Sequence, residues 1–69
     1  MNTMNTRSLL FEEYPDVVST REVSRMLHLD VKTVYNLIHN KKLKCIHVDR
    51  RILVPKVYVF EYLQMLEDI

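Results

Sequence analysis

Hydrogen-bonding side chains recur at helical spacing in the middle of this chain, at Lys32, Thr33, Tyr35, Asn36 and His39. Side chains of these types can contact the edges of DNA bases. An asparagine can bond an adenine edge with two hydrogen bonds, a threonine can touch a thymine methyl group, and a lysine can reach guanine acceptors or a phosphate. A solvated polar face is the alternative interpretation. For His39, capping of the helix end is an equally weighted alternative to base contact. Tyr35 could instead be a half-buried side chain that packs against the core.

Basic residues are concentrated in the middle of the chain, although the formal net charge is only +1. Between Val31 and Lys56 there are seven lysines and arginines and a single acid, Asp49. A basic patch of this kind favours contact with phosphates, and a solvated lysine-rich surface is the alternative. The candidate phosphate-contacting residues are Arg21, Arg25, Lys41, Lys42, Lys44, His47, Arg50 and Arg51.

The apolar spacing between Thr20 and His39 predicts two helices joined by a tight turn. Val23 and Leu27 lie one turn apart on the first helix, and Leu29 fills the turn. The inward residues of the second helix are Val34, Leu37 and Ile38. Because a corner of two helices needs this pattern, the segment reads as a helix-turn-helix with its polar side chains on the opposite face.

Local signals predict where these two helices begin and end. Ser19 and Glu22 have the spacing of a capping box at the start of the first helix. Asp30 is expected to cap the second helix with its carboxylate, which accepts backbone N–H groups. Asn40 is expected to end that helix in a left-handed conformation.

After Leu43 the apolar residues alternate, which predicts two short strands. Asp49 and Arg50 are expected to form the turn between them, since aspartate tolerates a positive φ. An arginine at this turn could enter a narrow minor groove, and Arg50 is the preferred candidate. Pro55 suits the first turn of a closing helix. The face of that helix expected to cover the core carries Val59, Tyr62, Leu63 and Leu66.

The first sixteen residues are interpreted as an arm, and residues 17–69 as one domain. Ser8 can open a short leading helix that ends before Pro15, because the residue preceding a proline avoids the helical region. We expect Tyr58 or Phe60 of the closing helix to pack on the apolar side chains of this segment. Those side chains are Leu10, Phe11 and Tyr14.

A chain of 69 residues supports one modest core, which disfavours an enzyme with a multi-step catalytic cleft. No apolar run approaches membrane-spanning length, and no cofactor is expected. The single cysteine, Cys45, cannot form an internal disulfide and is expected to be an apolar filler in a reducing cytoplasm. His39, Cys45 and His47 are too few ligands for a zinc site, so no metal is expected.

Four segments resemble a known family in their order and spacing, over Val17 to Leu66. They are Ser19-Thr20-Arg21-Glu22-Val23-Ser24, Lys32-Thr33-Val34-Tyr35, Val48-Asp49-Arg50-Arg51, and Val54-Pro55-Lys56 leading into Tyr62-Leu63. This pattern resembles the excisionase-type, MerR-like winged helix-turn-helix family. The resemblance implies a mainly α, α+β fold with a two-stranded hairpin wing and a closing C-terminal helix. It also implies DNA binding, with the second helix in the major groove and the wing on the adjacent backbone or minor groove.

The chain departs from this family in containing no glycine. Relatives usually place glycine in the interhelical turn, after the recognition helix and in the wing turn. His28, then Asn40 or Lys41, and then Asp49 stand in those places. Asparagine and aspartate adopt left-handed backbone more readily than histidine, so strain is expected at His28.

The resemblance implies a small, non-enzymatic, sequence-selective protein that binds double-stranded DNA. Among such proteins we favour an excisionase, a recombination directionality factor of a phage or mobile element, which binds DNA cooperatively and assists a site-specific integrase. It would act in the bacterial cytoplasm at the nucleoid. A small transcriptional regulator is the first alternative. The second is a protein-interaction module that uses the apolar segments Leu9–Tyr14 and Tyr58–Leu66.

Overall fold

The computed structural model describes residues 11–67. Within that range the chain forms three helices and one antiparallel sheet. The elements are β1 (Val17–Ser19), α1 (Thr20–Leu27), α2 (Val31–His39), β2 (Ile46–Val48), β3 (Arg51–Pro55) and α3 (Lys56–Glu67). The predicted fold class is confirmed, because a helix-turn-helix is followed by a two-stranded hairpin and a closing helix.

Strand β1 was not predicted, and it turns the hairpin into a three-stranded sheet of order β1-β3-β2. In this sheet Val18 lies opposite Val54, and Ile46 lies opposite Leu53. A strand of three residues is too short to show an alternating pattern, so the sequence carries no signal for it. The hairpin is consequently joined to the segment that immediately precedes α1.

The core lies where all the elements meet. Five of its side chains are valines, each from a different element, and each has at most 1% of its surface exposed. These valines are Val18, Val23, Val34, Val54 and Val59. Met26 and Leu43 complete the core, and the predicted inward side chains of the helix-turn-helix pack against it. Those side chains are Leu27, Leu29, Leu37 and Ile38.

The start of α1 confirms the predicted capping box. The Glu22 backbone N–H donates to Ser19 Oγ at 3.2 Å, and the Ser19 N–H donates to Glu22 Oε1 at 2.8 Å. The start of α2 differs, because the Asp30 side chain makes no capping hydrogen bond. The expectation that its carboxylate accepts backbone N–H groups is therefore wrong. It still lies at the positive end of the helix dipole.

Left-handed backbone occurs at the three places where relatives usually have glycine. His28 has φ 57°, Lys41 has φ 64° and Asp49 has φ 56°. The prediction for Asp49 is confirmed, and His28 takes the conformation that a glycine would. The prediction for Asn40 is wrong, since its φ is −86° and Lys41 makes the left-handed turn instead. Such backbone costs a residue with a Cβ about 1–2 kcal/mol.

The predicted leading helix falls partly outside the described residues, which exclude Ser8 and Leu10. Its described part is a turn rather than a helix, closed by the Tyr14 N–H on the Phe11 carbonyl at 2.9 Å. The Phe11 ring stacks on Phe60 with 6.1 Å between centroids. The predicted contact between the closing helix and this segment is thus confirmed for Phe60.

Lys56 fastens the same turn to the domain. Its Nζ donates to the carbonyls of Phe11 at 3.2 Å and Tyr14 at 2.9 Å, and its backbone N–H donates to the Asp16 carbonyl at 2.7 Å. The side chain is half-buried. Lys56 therefore belongs to the packing of the domain and not to the basic surface that its position in the sequence suggests.

Helix α3 covers the core with Val59, and Tyr62 and Leu63 pack beside it. Leu66 is 47% exposed, so its predicted place on the covering face is wrong. The helix begins at Lys56, one residue later than predicted, which is within the usual uncertainty of a helix boundary. No helix among the described residues is long and apolar enough to cross a membrane.

The sheet has apolar side chains on both faces. Val18 and Val54 point into the core, and the register places Ile52 and His47 on that same inner face. The outer face carries Val17, Ile46 and Val48, which are 42%, 39% and 44% exposed. The sequence alternation located the strands, but it did not establish which face points inward.

Candidate nucleic-acid interface

Helix α2 presents a polar face away from the core. Lys32, Asn36 and His39 are exposed and Thr33 is half-buried, whereas Val34 on the reverse side is fully buried. The left-handed turn at His28 allows α2 to follow α1 after a short link. The structure therefore brings these predicted base-reading side chains together on one accessible surface.

Tyr35 is accessible and also takes part in packing. Its side chain is 45% exposed, yet its hydroxyl accepts a hydrogen bond from Thr20 Oγ1 at 3.3 Å. Thr20 is buried at the start of α1, so this bond connects the two helices of the motif. A phenolic hydroxyl can accept and donate at once. The Tyr35 hydroxyl can therefore bond Thr20 and an outside partner together.

An open groove of about 610 Å³ separates α2 from the hairpin, and we call it the recognition groove. It is lined by Tyr35, Asn36, Ile38, His39, Lys41, His47 and Ile52. His47 pairs with Ile52 across the hairpin, which turns both side chains toward α2. Candidate base-reading and phosphate-contacting residues therefore share one cleft.

The arginines of the hairpin are divided between different surfaces. Arg50 lies in the turn next to the left-handed Asp49 and is exposed at the hairpin tip. Arg51 is also exposed, but it pairs with Val48 on the outer face of the sheet, opposite to His47. The structure therefore places Arg50 at the end of the hairpin and does not bring Arg51 into the recognition groove.

The lysines after α2 are divided in a similar way. All three lysines line a depression against α3, but only Lys41 also lines the recognition groove. The Lys44 Nζ lies 3.4 Å from Glu61 Oε1 and 5.7 Å from the centre of the Tyr58 ring. Sequence reasoning missed this cluster, because its members belong to different elements and no local spacing connects them.

Arg21 and Arg25 are exposed on α1, one helical turn apart. Within residues 11–67 the Lys44–Glu61 contact is the one ion pair. The two arginines, Lys32, Lys41, Lys42, Arg50 and Arg51 thus have no carboxylate partner in that part of the chain. Their charge is not neutralised locally.

The described part of the chain contains no group of side chains arranged for metal binding or for chemistry at the cysteine thiol. No three side chains among its histidines, cysteine and acids are grouped so that they could hold a metal ion. Cys45 is half-buried and packs against the core cluster. Its position is that of a small apolar filler.

These features define a small winged helix-turn-helix domain. The profile of the helix-turn-helix domain family matches residues 17–66, from the first residue of β1 into the last turns of α3. Since the match covers more than two thirds of the chain, the protein belongs to the helix-turn-helix domain family and is a DNA-binding protein of a typically non-enzymatic class. No curated protein and no solved structure shows significant similarity to it.

Proposed function

We propose that this protein reads a specific DNA sequence by placing α2 in the major groove and the hairpin on the neighbouring backbone. The observation that carries the proposal is the recognition groove, where Asn36 of α2, Lys41 of the loop and His47 of the hairpin face a common cleft. A groove bordered by a polar helix and a basic hairpin suits a duplex edge, because phosphate contacts set the docking position and base contacts give selectivity.

In this proposal the face of α2 reads bases through Lys32, Thr33, Tyr35, Asn36 and His39. The phosphates are contacted by Arg21, Arg25, Lys41, Lys42, Lys44, His47, Arg50 and Arg51. The first group is compact in space, and the second lies on α1, the loop and the hairpin, with Arg51 on the outer face of the sheet. Such an arrangement supports a protein whose affinity is mostly electrostatic and whose selectivity comes from one helix.

Within this class we propose an excisionase, an accessory factor in the excision of a phage or mobile element that assists a site-specific integrase in the bacterial cytoplasm, at the nucleoid. The support is the order of the motifs and the size of the domain. One recognition helix and one wing cover a short stretch of DNA, so help from adjacent copies or from a partner raises occupancy. A transcriptional regulator would use the same contacts.

The outer face of the sheet supports cooperative binding of a second copy of this chain. Val17, Ile46 and Val48 form an exposed apolar surface there. Two copies packed face to face through this surface would cover the apolar side chains of both.

Cooperativity is tested on duplexes that carry one or two adjacent sites. Val48→Thr adds a polar group to the outer face and is expected to lower cooperativity on the double site, with the single-site affinity unchanged. Val57→Thr is the matched control, because Val57 is 54% exposed on α3 and lies off the sheet. Equal effects of both variants would exclude the sheet face as the contact between copies.

The protein-interaction alternative receives less support from the packing. Phe11 packs on Tyr14 and on Phe60, and both Phe11 and Tyr14 pack against the core, so these apolar side chains are already used within the domain. The DNA-binding proposal is tested by an anisotropy titration of random and selected duplexes at two salt concentrations. Absence of binding at low salt would refute it.

Footprinting on the DNA that flanks the gene distinguishes the roles within the class. Sites grouped at the end of a mobile element would support the excisionase proposal. Sites over a promoter alone would support the transcriptional regulator instead.

A further inference from the structure

The recognition groove does not end at the loop after α2. It shares Lys41 and His47 with a depression of about 410 Å³, and that depression shares Lys41 and Lys44 with a third of about 230 Å³. The third depression lies between the loop and α3, and we call it the α3 groove. Its lining residues are Lys41, Lys42, Lys44, Tyr58, Glu61, Tyr62 and Met65. A single track of basic side chains therefore runs from α2 to α3.

The lining of the α3 groove has the composition of a phosphate contact region with one exception. Lysines and tyrosines commonly bind the sugar-phosphate backbone. Glu61 is the one acid of the lining, and its carboxylate lies 3.4 Å from the Lys44 Nζ. The Tyr58 ring lies 5.7 Å from the same ammonium group. In the free protein Lys44 is therefore held toward α3 by an anion of the protein itself.

We propose that the α3 groove is an additional phosphate-binding region for the same duplex, in which Glu61 competes with the phosphate for Lys44. The inference rests on the proposed DNA-binding function and adds α3 to the interface. A phosphate that enters the groove takes the place of the Glu61 carboxylate on Lys44, and the displaced carboxylate then repels it. Glu61 thereby lowers the affinity for DNA of any sequence.

The exposure of the pair allows this exchange. The Lys44 and Glu61 side chains are 69% and 52% exposed, so water and salt screen their attraction. A DNA phosphate gains in addition from the release of condensed counterions, which a protein carboxylate does not provide. The same exposure means that the pair contributes little to folding, and that its variants fold.

The test compares Glu61→Gln with Glu67→Gln. Both substitutions remove one negative charge from an exposed position on α3, but only Glu61 contacts Lys44. The affinity for a random duplex is measured by fluorescence anisotropy between 50 and 200 mM salt. We expect Glu61→Gln to make the slope of log affinity against log salt steeper, that is more negative, by about 0.9, so that its gain in affinity is about 3.5-fold larger at the low-salt end. Glu67→Gln should leave the slope unchanged, and equal changes in both variants would overturn the inference.

A second comparison places the effect on Lys44. In a Lys44→Gln background, Glu61→Gln should no longer raise the affinity or steepen the salt dependence, whereas a gain that persists would overturn the proposed competition. Circular dichroism melting curves verify that all variants fold.

The wild-type titration distinguishes the two proposals: if the wild type does not bind, the proposed function fails and this inference with it. If the wild type binds and the two glutamate variants behave alike, only the inference fails.

Discussion

At the scale of single residues, the most unusual feature is the set of left-handed residues other than glycine, which within residues 11–67 are Phe11, His28, Lys41 and Asp49. His28, Lys41 and Asp49 hold the interhelical turn, the end of α2 and the hairpin turn. The sequence predicted these three turn positions, because they are the places where relatives usually have glycine and this chain has none. The exception was the choice between Asn40 and Lys41, which depends on where the last helical hydrogen bonds form. The Asn40 N–H bonds to the Asn36 carbonyl at 2.9 Å, so the left-handed residue comes one position later.

Replacing His28 by glycine should stabilise the domain. Relief of the left-handed strain, about 1–2 kcal/mol, is partly offset by the larger entropy of glycine in the unfolded chain, about 0.5–1 kcal/mol. The net gain, between about 0 and 1.5 kcal/mol, should raise the midpoint of thermal unfolding by up to several degrees. His28→Ala is the control, because it removes the imidazole and retains the Cβ. A glycine variant no more stable than the alanine variant would contradict the strain.

Asn36→Ala tests the proposed base contact. If the amide pairs with one base, we expect a loss of about 1–3 kcal/mol on the selected site and a relaxed preference at that base. Asn40→Ala is the matched control, since Asn40 is exposed at the end of α2 and does not line the recognition groove. An equal loss on selected and random duplexes would show that Asn36 does not read sequence.

At the scale of the elements, local signals predicted the helices and the hairpin, although the expected side-chain cap at Asp30 and left-handed turn at Asn40 were wrong. Pairing between distant segments could not be predicted. The capping box at Ser19 and Glu22 is contained in four consecutive residues, so the sequence displays it directly. Strand β1 exists only because β3 lies beside it. For the same reason the sequence could not assign the hairpin residues to the two faces of the sheet. The register places His47 on the inner face and Arg51 on the outer face.

Val34→Ala tests the helix-turn-helix corner. Val34 is fully buried in α2 and packs in the core with side chains of every other helix. Removing two methyl groups from so small a core should lower the free energy of unfolding by about 2 kcal/mol. Lys32→Ala, an exposed substitution two residues earlier, should change stability little. Thermal unfolding of both variants measures the difference, and an unchanged midpoint for Val34→Ala would contradict its position inside.

At the scale of the whole molecule, the number of basic residues overstates the charge available to a ligand. Lys56 is occupied by the carbonyls of the leading turn, and Lys44 is paired with Glu61. The sequence showed that the middle of the chain is basic, but it could not show which lysines point elsewhere. Those assignments require contacts between residues that are far apart in the chain.

Arg50→Ala tests the phosphate contact proposed for the hairpin tip. Binding to selected and random duplexes should weaken alike, and the salt slope should become shallower by about one unit, because one phosphate contact is lost. Arg51→Ala is the comparison, since Arg51 lies on the outer face and should have a smaller effect. An unchanged salt slope for Arg50→Ala would remove that residue from the phosphate set.

Strand β1 also determines the mechanics of the domain. It continues directly into α1 and is hydrogen-bonded to β3, so the hairpin cannot swing as an independent flap. The spacing between α2 and the hairpin is therefore set before any ligand arrives. A protein with such a rigid spacing loses little conformational entropy when it docks. It would disfavour a duplex whose groove width does not match the distance between α2 and the hairpin.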